Sequence, residues 1–132
     1  MNSYQPVVVY TGSNLEAFEA FLSETGLHKT RFLYASSWVD VAVTLHKNPC
    51  AVVVAEFHNG NDHLVQVLGD FPNVIAVGIT DFPNLAENLA ENGFFDIIMG
   101  SDPAWRLLNS IRNAVKLSTL VEFWNCMECG MS

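Results

Sequence analysis

The sequence predicts a three-layer α/β domain. A doubly wound, five-stranded parallel sheet of strand order 2-1-3-4-5 lies between two layers of helices. Five short β-rich segments alternate with five helical segments along the chain. The first, third and fourth strand segments are apolar throughout instead of alternating with polar residues, which is typical of strands buried on both faces. Short right-handed crossovers then favour this doubly wound order.

The five predicted strands are rich in β-branched and aromatic side chains. They occupy residues 7–10, 31–35, 51–55, 74–79 and 95–99. Sheets of this kind bind ligands beyond the carboxyl ends of the strands, where strand one lies beside strand three. We therefore look for function at this rim, which is formed by residues 10–13, 56–61, 80–81 and 100–102.

The helical segments carry start and stop signals. Ser13 and Glu16 predict a capping box for the first helix, and Gly26 predicts its end. Pro83 suits the first turn of the fourth helix, which Gly93 should end. The second, third and fifth helices are predicted to begin at Ser37, near Asp62 and at Pro103.

The last helix is predicted to run from Pro103 to about Trp124, roughly 30 Å. Its expected inward stripe consists of Trp105, Leu108, Ile111 and Val115. Beyond the sheet, further apolar side chains follow: Leu117, Leu120, Val121, Phe123 and Trp124. Uncovered apolar groups usually mark an interface, so we favour a homodimer through helix four, strand five and helix five, or a junction to an effector domain. The alternative is that this segment folds back on its own domain.

Composition restricts the function classes. Fourteen acidic residues face six basic ones, for a formal charge of −8, so no basic stripe is present to bind nucleic acid directly. Three cysteines are too few for a disulfide framework. No leader or membrane-length apolar run is recognised, so we expect a soluble cytoplasmic domain over residues 1–124 with a tail at 125–132.

Short local motifs accompany this architecture. Asn48-Pro49 precedes strand three, Ile79-Thr80 ends strand four, and residues 92–98 read Asn-Gly-Phe-Phe-Asp-Ile-Ile into strand five. With the five βα units, they resemble the receiver domains of response regulators, which have the CheY-like, flavodoxin-like fold, over residues 6 to about 117. The resemblance implies two-component signalling through a phosphorylated aspartate at the rim, with metal-binding acids, a lysine and a switch hydroxyl around it.

Most of the residues that the resemblance calls for are missing. Tyr10, Thr11 and Gly12 stand where paired acids should follow strand one. Ala55, followed by Glu56, occupies the position of the phosphoacceptor.

The other side of the rim departs from the pattern as well. Residues 99–102 contain no lysine, and Ile97 replaces the aromatic switch residue. Thr80 alone retains the switch hydroxyl. We therefore expect a phosphorylation-independent pseudo-receiver with no catalytic residue, no metal and no cofactor, which acts by binding a protein partner. Glu56 is either a fixed mimic of the phosphorylated aspartate that reaches toward Thr80, or an exposed loop acid; a displaced acceptor at Glu56 ranks last.

A small FMN-binding redox protein is the alternative. Residues 11–14 resemble the phosphate loop of flavodoxins, in which backbone N–H groups and a helix N-terminus hold the FMN phosphate. Phe57 and Phe82 are the candidates to flank the flavin ring. Glycine and serine are also the ordinary residues of such a turn.

Two further groups of residues are better explained by ordinary structure than by a metal or redox site. Four potential ligands, Glu56, His58, Asp62 and His63, share one loop, but their spacing fits no closed zinc pattern. The single C-x-x-C motif at Cys126 and Cys129 lies near the C-terminus without a second pair and does not open a helix after a strand. We therefore expect a solvated loop and a tail.

Overall fold

The computed structural model describes residues 5–13, 15–24, 30–57 and 62–130, and only the backbone of residues 24, 62 and 125–130. Five strands form one parallel sheet of order β2-β1-β3-β4-β5, which confirms the predicted fold. The strands are β1 (Val7–Thr11), β2 (Arg31–Tyr34), β3 (Val52–Glu56), β4 (Ile75–Thr80) and β5 (Asp96–Met99). The helices are α1 (Leu15–Glu24), α2 (Trp38–Lys47), α3 (Asp62–Gly69), α4 (Pro83–Glu91) and α5 (Ala104–Gly130).

The central strands β1, β3 and β4 are buried on both faces because helices cover both sides of the sheet. Side chains alternate between the faces with the two-residue period of a strand. Val53, Ala55 and Phe57 belong to the cluster under α2, α3 and α4. Val52 and Val54 belong to the cluster under α1 and α5, together with Phe18 and Ile111. The three-layer arrangement follows from this division.

Several predicted helix signals take their expected roles. Ser37 caps α2, since its hydroxyl accepts the N–H of Asp40 at 3.2 Å. Pro83 occupies the first turn of α4, and Gly93 beyond the helix adopts a φ of +84°, which glycine tolerates best. The α1 capping box does not form as predicted, because the Ser13 N–H that Glu16 should meet donates to Glu56 instead. The predicted stop at Gly26 lies outside the described residues.

Helix α5 differs from the prediction in its length and in the face that it packs on the sheet. It continues to Gly130, six residues beyond the predicted end near Trp124. Its inward face is formed by Leu107, Ile111 and Ala114, whereas Trp105 is 62% exposed, so its predicted inward position is wrong. Residues two apart on a helix point about 200° apart, and packing of Leu107 on the sheet therefore turns Trp105 outward. Among the described residues, no helix is both long and apolar enough to cross a membrane.

The start of α5 is tied to β5 by an ion pair. Two Arg106 guanidinium nitrogens donate to the Asp96 carboxylate at 2.6 and 2.8 Å. These hydrogen bonds from Arg106, helped by the Ile97 N–H, hold the pKa of Asp96 below its ordinary value of 3.8 against the opposing effect of burial. A carboxyl whose pKa is lowered on folding stabilises the native state above its unfolded pKa and loses that contribution as pH falls through the folded pKa.

We therefore expect Arg106→Met to lower the free energy of unfolding by about 1 kcal/mol at pH 7, as for a partly exposed bidentate pair. The difference from the wild type should shrink as the pH falls from 3.8, where the unfolded carboxyl titrates, through the lower folded-state pKa at which Asp96 becomes protonated. Urea titrations at pH 7 and at successively lower pH values measure it. The matched variant Lys116→Met removes an exposed cation of the same helix and should change little. If the loss in the free energy of unfolding caused by Arg106→Met stays constant with pH, the stabilising role of the Arg106–Asp96 pair is contradicted.

Candidate functional site

The carboxyl ends of β1, β3, β4 and β5 meet at one rim, as predicted. Tyr10 of β1 lies opposite Val54, and Thr11 lies opposite Ala55 of β3. Ala55 in turn lies opposite Gly78, and Thr80 of β4 lies opposite Met99. The residues that we expected at the positions of an acidic pocket and a phosphoacceptor are thus neighbours in space.

The Glu56 side chain, at the end of β3, reaches across to β1 and to the loop that follows it. Its carboxylate oxygen Oε2 accepts a short hydrogen bond from the Tyr10 hydroxyl and a second one from the Ser13 N–H at 3.1 Å. The Tyr10 ring is buried and stacks on Phe18 of α1, with centroids 4.3 Å apart and planes 11° from parallel. Glu56 therefore binds toward β1, and the predicted reach toward Thr80 is wrong.

Gly12 allows this close approach. A Cβ atom at position 12 would collide with the Glu56 carboxylate and with the Tyr10 hydroxyl. The Gly12 carbonyl also accepts a hydrogen bond from the Tyr34 hydroxyl at 3.3 Å, which ties the loop to β2. The loop after β1 is thus shaped around a carboxylate that comes from β3.

Ala55 is the residue that the resemblance leads us to expect at the acceptor position, and its methyl side chain offers no nucleophile. It is fully buried and belongs to the apolar cluster on the α2–α4 side of the sheet, whereas Glu56 points to the opposite side. The one carboxylate in this part of β3 therefore lies on the face of the sheet opposite to that of the aligned position.

Thr80 is buried, and its hydroxyl takes part in the turn into α4. Its Oγ1 accepts the N–H of Phe82 at 3.2 Å, so Thr80 ends its strand and supports the start of the helix. A role of Thr80 as a switch hydroxyl stays a prediction.

Acidic side chains lie beyond β4 and β5, in the region where the resemblance calls for a lysine. The Asp102 carboxylate accepts the Met99 N–H at 2.9 Å, and the Asp81 carboxylate packs so closely on Gly100 that a Cβ there would collide with it. No cation is found at residues 99–102 to pair with a phosphoryl group. In the part of the chain that the structure describes, no group of three His, Cys, Asp or Glu side chains could hold a metal ion.

The loop proposed for FMN is already occupied by a carboxylate. The Ser13 N–H, which would have to donate to the FMN phosphate, donates to Glu56. Phe57 is buried and meets Phe94 edge to face at 5.5 Å, so its predicted place beside a flavin ring is wrong. Phe82 is exposed, and Asn14 lies outside the described residues.

The other predicted clusters are only partly described. His58 and residues 59–61 lie outside the described part of the chain, as do the side chains of Asp62, Cys126 and Cys129. His63 stacks on Trp38 of α2 with ring centroids 5.2 Å apart. The backbone at positions 126 and 129 belongs to the last turns of α5, so these positions end a helix and do not open one.

The second half of α5 presents an apolar surface, which we call the α5 patch: Leu117, Leu120, Phe123 and Trp124. All four are exposed; Leu120 is 56% and Trp124 62% accessible. The opposite side of the helix packs on the domain, since Ser118 is buried and donates to the Cys50 carbonyl. Val121, predicted as part of the interface, is half-buried against the cluster under α1 and α5, because it lies on the same side as Ser118.

No protein-family model matches this chain, and no curated protein matches it. Solved structures do resemble it. The signal receiver domain of a protein from Vibrio parahaemolyticus superposes with a TM-score of 0.72 at 15% identity, covering 91% of this chain and 97% of that one.

Two other receivers superpose nearly as well. A response regulator receiver domain protein from Clostridium thermocellum gives a TM-score of 0.70 at 20% identity, over 88% of this chain and 98% of that one. A response regulator from Thermotoga maritima gives 0.68 at 12% identity, over 86% and 99%. At these identities the likeness shows a common CheY-like fold and leaves the chemistry to be argued from the residues.

Proposed function

We propose that this chain is a receiver-like signalling domain that accepts no phosphoryl group and acts by binding a protein partner. The observation that carries the proposal is the set of contacts at the rim between β1 and β3. There the Glu56 carboxylate is held by the Tyr10 hydroxyl and the Ser13 N–H, while the aligned acceptor position is the buried Ala55.

The chemistry of phosphoryl transfer explains why this rim matters. Transfer to a carboxylate needs a divalent cation held by several oxygen ligands and positive charge around the transferred oxygens. Tyr10, Thr11 and Gly12 supply no carboxylate after β1, and Asp81 and Asp102 add negative charge on the β4 and β5 side. An incoming phosphoryl group would be repelled by Glu56 at the end of β3 and by Asp81 and Asp102 on the β4 and β5 side.

The α5 patch is the proposed partner surface. Four large apolar side chains face away from the domain, and Ser118 and Val121 hold the opposite side of the helix on it, which argues against the patch folding back. We propose that a second copy of this chain covers the patch in a homodimer that extends toward Trp105 on the same helix. We propose no direct contact with nucleic acid, because the chain carries a net charge of −8.

Self-association is the test of this surface. We expect sedimentation equilibrium of the wild type to show a monomer–dimer equilibrium. The double variant Leu120→Glu/Phe123→Glu should weaken it by about 30-fold or more, since charges at the centre of an apolar interface cost about 2 kcal/mol or more. Neither side chain supports the core, so thermal stability should change little.

The chain offers a matched control on its opposite layer. Val39 and Val43 are exposed on α2, and Val39→Glu/Val43→Glu adds the same two charges there. This variant should associate like the wild type. A wild type that stays monomeric at all concentrations, or a control as impaired as the α5 variant, would contradict the homodimer.

A further inference from the structure

An open cavity of about 350 Å³ lies between α1 and α5, above the carboxyl ends of β1 and β3. Its walls include Tyr10, Phe18, Phe21, Glu56, Ile79 and Leu107. Pockets for small molecules usually measure about 300–1,000 Å³ and combine apolar walls with a few fixed polar groups. We infer that this cavity binds a small organic cation, namely an amine that carries an aromatic or branched aliphatic body.

The walls suit the apolar body of such a ligand. Phe18 stacks on Tyr10 and is tilted against Phe21 at a centroid distance of 6.1 Å, so the α1 side is continuously aromatic. Ile79 and Leu107 provide aliphatic surface on the other sides.

The charge of the cavity selects the head group. Among the described residues that line the cavity, Glu56 is the only carboxylate, and this carboxylate is fixed in place by Tyr10 and Ser13 before any ligand arrives. A preorganised carboxylate binds a cation without paying for its own ordering. The net charge of −8 also concentrates small cations around the chain.

The same lining disfavours other ligand classes. A phosphate or carboxylate would be repelled by Glu56, and none of the described residues of the lining carries a basic side chain to compensate. Magnesium requires near-octahedral oxygen coordination, which a single carboxylate cannot supply. An organic ammonium needs only one carboxylate together with apolar walls.

This inference goes beyond the proposed function and does not depend on the α5 patch, since the patch lies on the outward side of α5 and Leu107 on the inward side. A failure of one would leave the other standing, because the cavity is tested by ligand binding to the full chain and the patch by self-association.

Three probes of nearly the same shape test the inference. The full chain is titrated with 2-phenylethylamine, 2-phenylethanol and phenylacetate, and the backbone amide shifts of Ala17 and Gly100, which also line the cavity, are followed by NMR. We expect the amine to bind with a dissociation constant of about 1 mM, as for a fragment of this size. The alcohol should bind at least about tenfold more weakly, and phenylacetate more weakly still.

Three variants locate the site. Glu56→Gln should abolish the preference for the amine over the alcohol. Ala17→Phe should prevent binding of both by filling the cavity, and because Ala17 is exposed, this variant keeps the test valid even if Glu56→Gln folds poorly. Glu91→Gln removes the same charge from an exposed site on α4 and should bind like the wild type.

The inference is overturned if the amine shifts the backbone amide signals of neither Ala17 nor Gly100 in the wild-type chain. It is equally overturned by phenylacetate binding as well as the amine, by Ala17→Phe binding normally, or by Glu91→Gln weakening the amine as much as Glu56→Gln does. The last result would mean that only the overall charge attracts the probe.

Discussion

Replacing Ala55 by aspartate, the residue the receiver family carries there, is expected to lower the free energy of unfolding by about 3 kcal/mol or more without creating a phosphorylation site. Ala55 is fully buried among apolar side chains on the α2–α4 side of the sheet. A carboxylate there finds no described cation, and burial should raise the pKa of the new carboxyl. Its destabilisation should therefore grow as the pH rises from 5 to 8, because the unfolded state releases its proton first.

Chemical denaturation at several pH values measures this effect, and intact-mass spectrometry after treatment with acetyl phosphate and Mg²⁺ measures phosphorylation. Ala90→Asp is the matched control, since Ala90 is exposed on α4 and should lose about 1 kcal/mol or less through helix propensity and the helix dipole. An Ala55→Asp protein that is as stable as the control and takes up phosphate would show that the rim can accept a phosphoryl group.

The second large effect is expected at Ile111. This side chain is fully buried in the cluster under α1 and α5, so Ile111→Ala should cost about 3 kcal/mol through lost burial and the cavity left behind. Leu120→Ala on the opposite side of the same helix should cost about 0.5 kcal/mol or less in the monomer, because the leucine is more than half exposed.

Urea denaturation at low protein concentration compares the two variants, so that association does not add to the stability of Leu120. The pair tests the orientation of α5, on which the proposed partner surface depends. Equal losses at Ile111 and Leu120 would mean that the α5 patch is part of the core.

The sheet could be predicted from the sequence because burial on both faces leaves a direct record in apolar runs. Residues 7–10 and 51–55 contain almost no polar side chain, and only a strand covered by helices on both sides tolerates that composition. The order of the strands followed from the handedness and the length of the connections. Cap residues such as Ser37 and Pro83 also marked helix starts, since they satisfy or do without the free N–H groups there.

Helix α5 was harder to predict because two apolar stripes overlap in it. Trp105 and Leu107 both fit an inward stripe, and only packing against the sheet decides between them. The helix continues beyond the predicted end at Trp124, because no proline or glycine interrupts the sequence between Trp124 and Gly130. Without such an interruption, each added residue gains a backbone hydrogen bond and the helix continues.

The sequence indicated which acidic residues the rim lacks more readily than which contacts its residues make. The loss of acids at Tyr10, Thr11 and Gly12 could be seen in the sequence. The hydrogen bond between Tyr10 and Glu56 required the register, in which Tyr10 lies opposite Val54, two residues before Glu56 and on the same face of the sheet. The two-residue period of strands could have indicated this pairing once the strands were aligned. The cavity beside it depends on the position of α1 and α5, which a single sequence does not specify.

The most direct test of the central claim is exposure of the wild-type chain to acetyl phosphate and Mg²⁺, followed by intact-mass spectrometry and peptide mapping. We expect the mass to stay unchanged at every donor concentration, while a phosphorylatable receiver treated in parallel gains one phosphoryl group. Stoichiometric acyl phosphate on Glu56, or on any other carboxylate of the rim, would contradict the account.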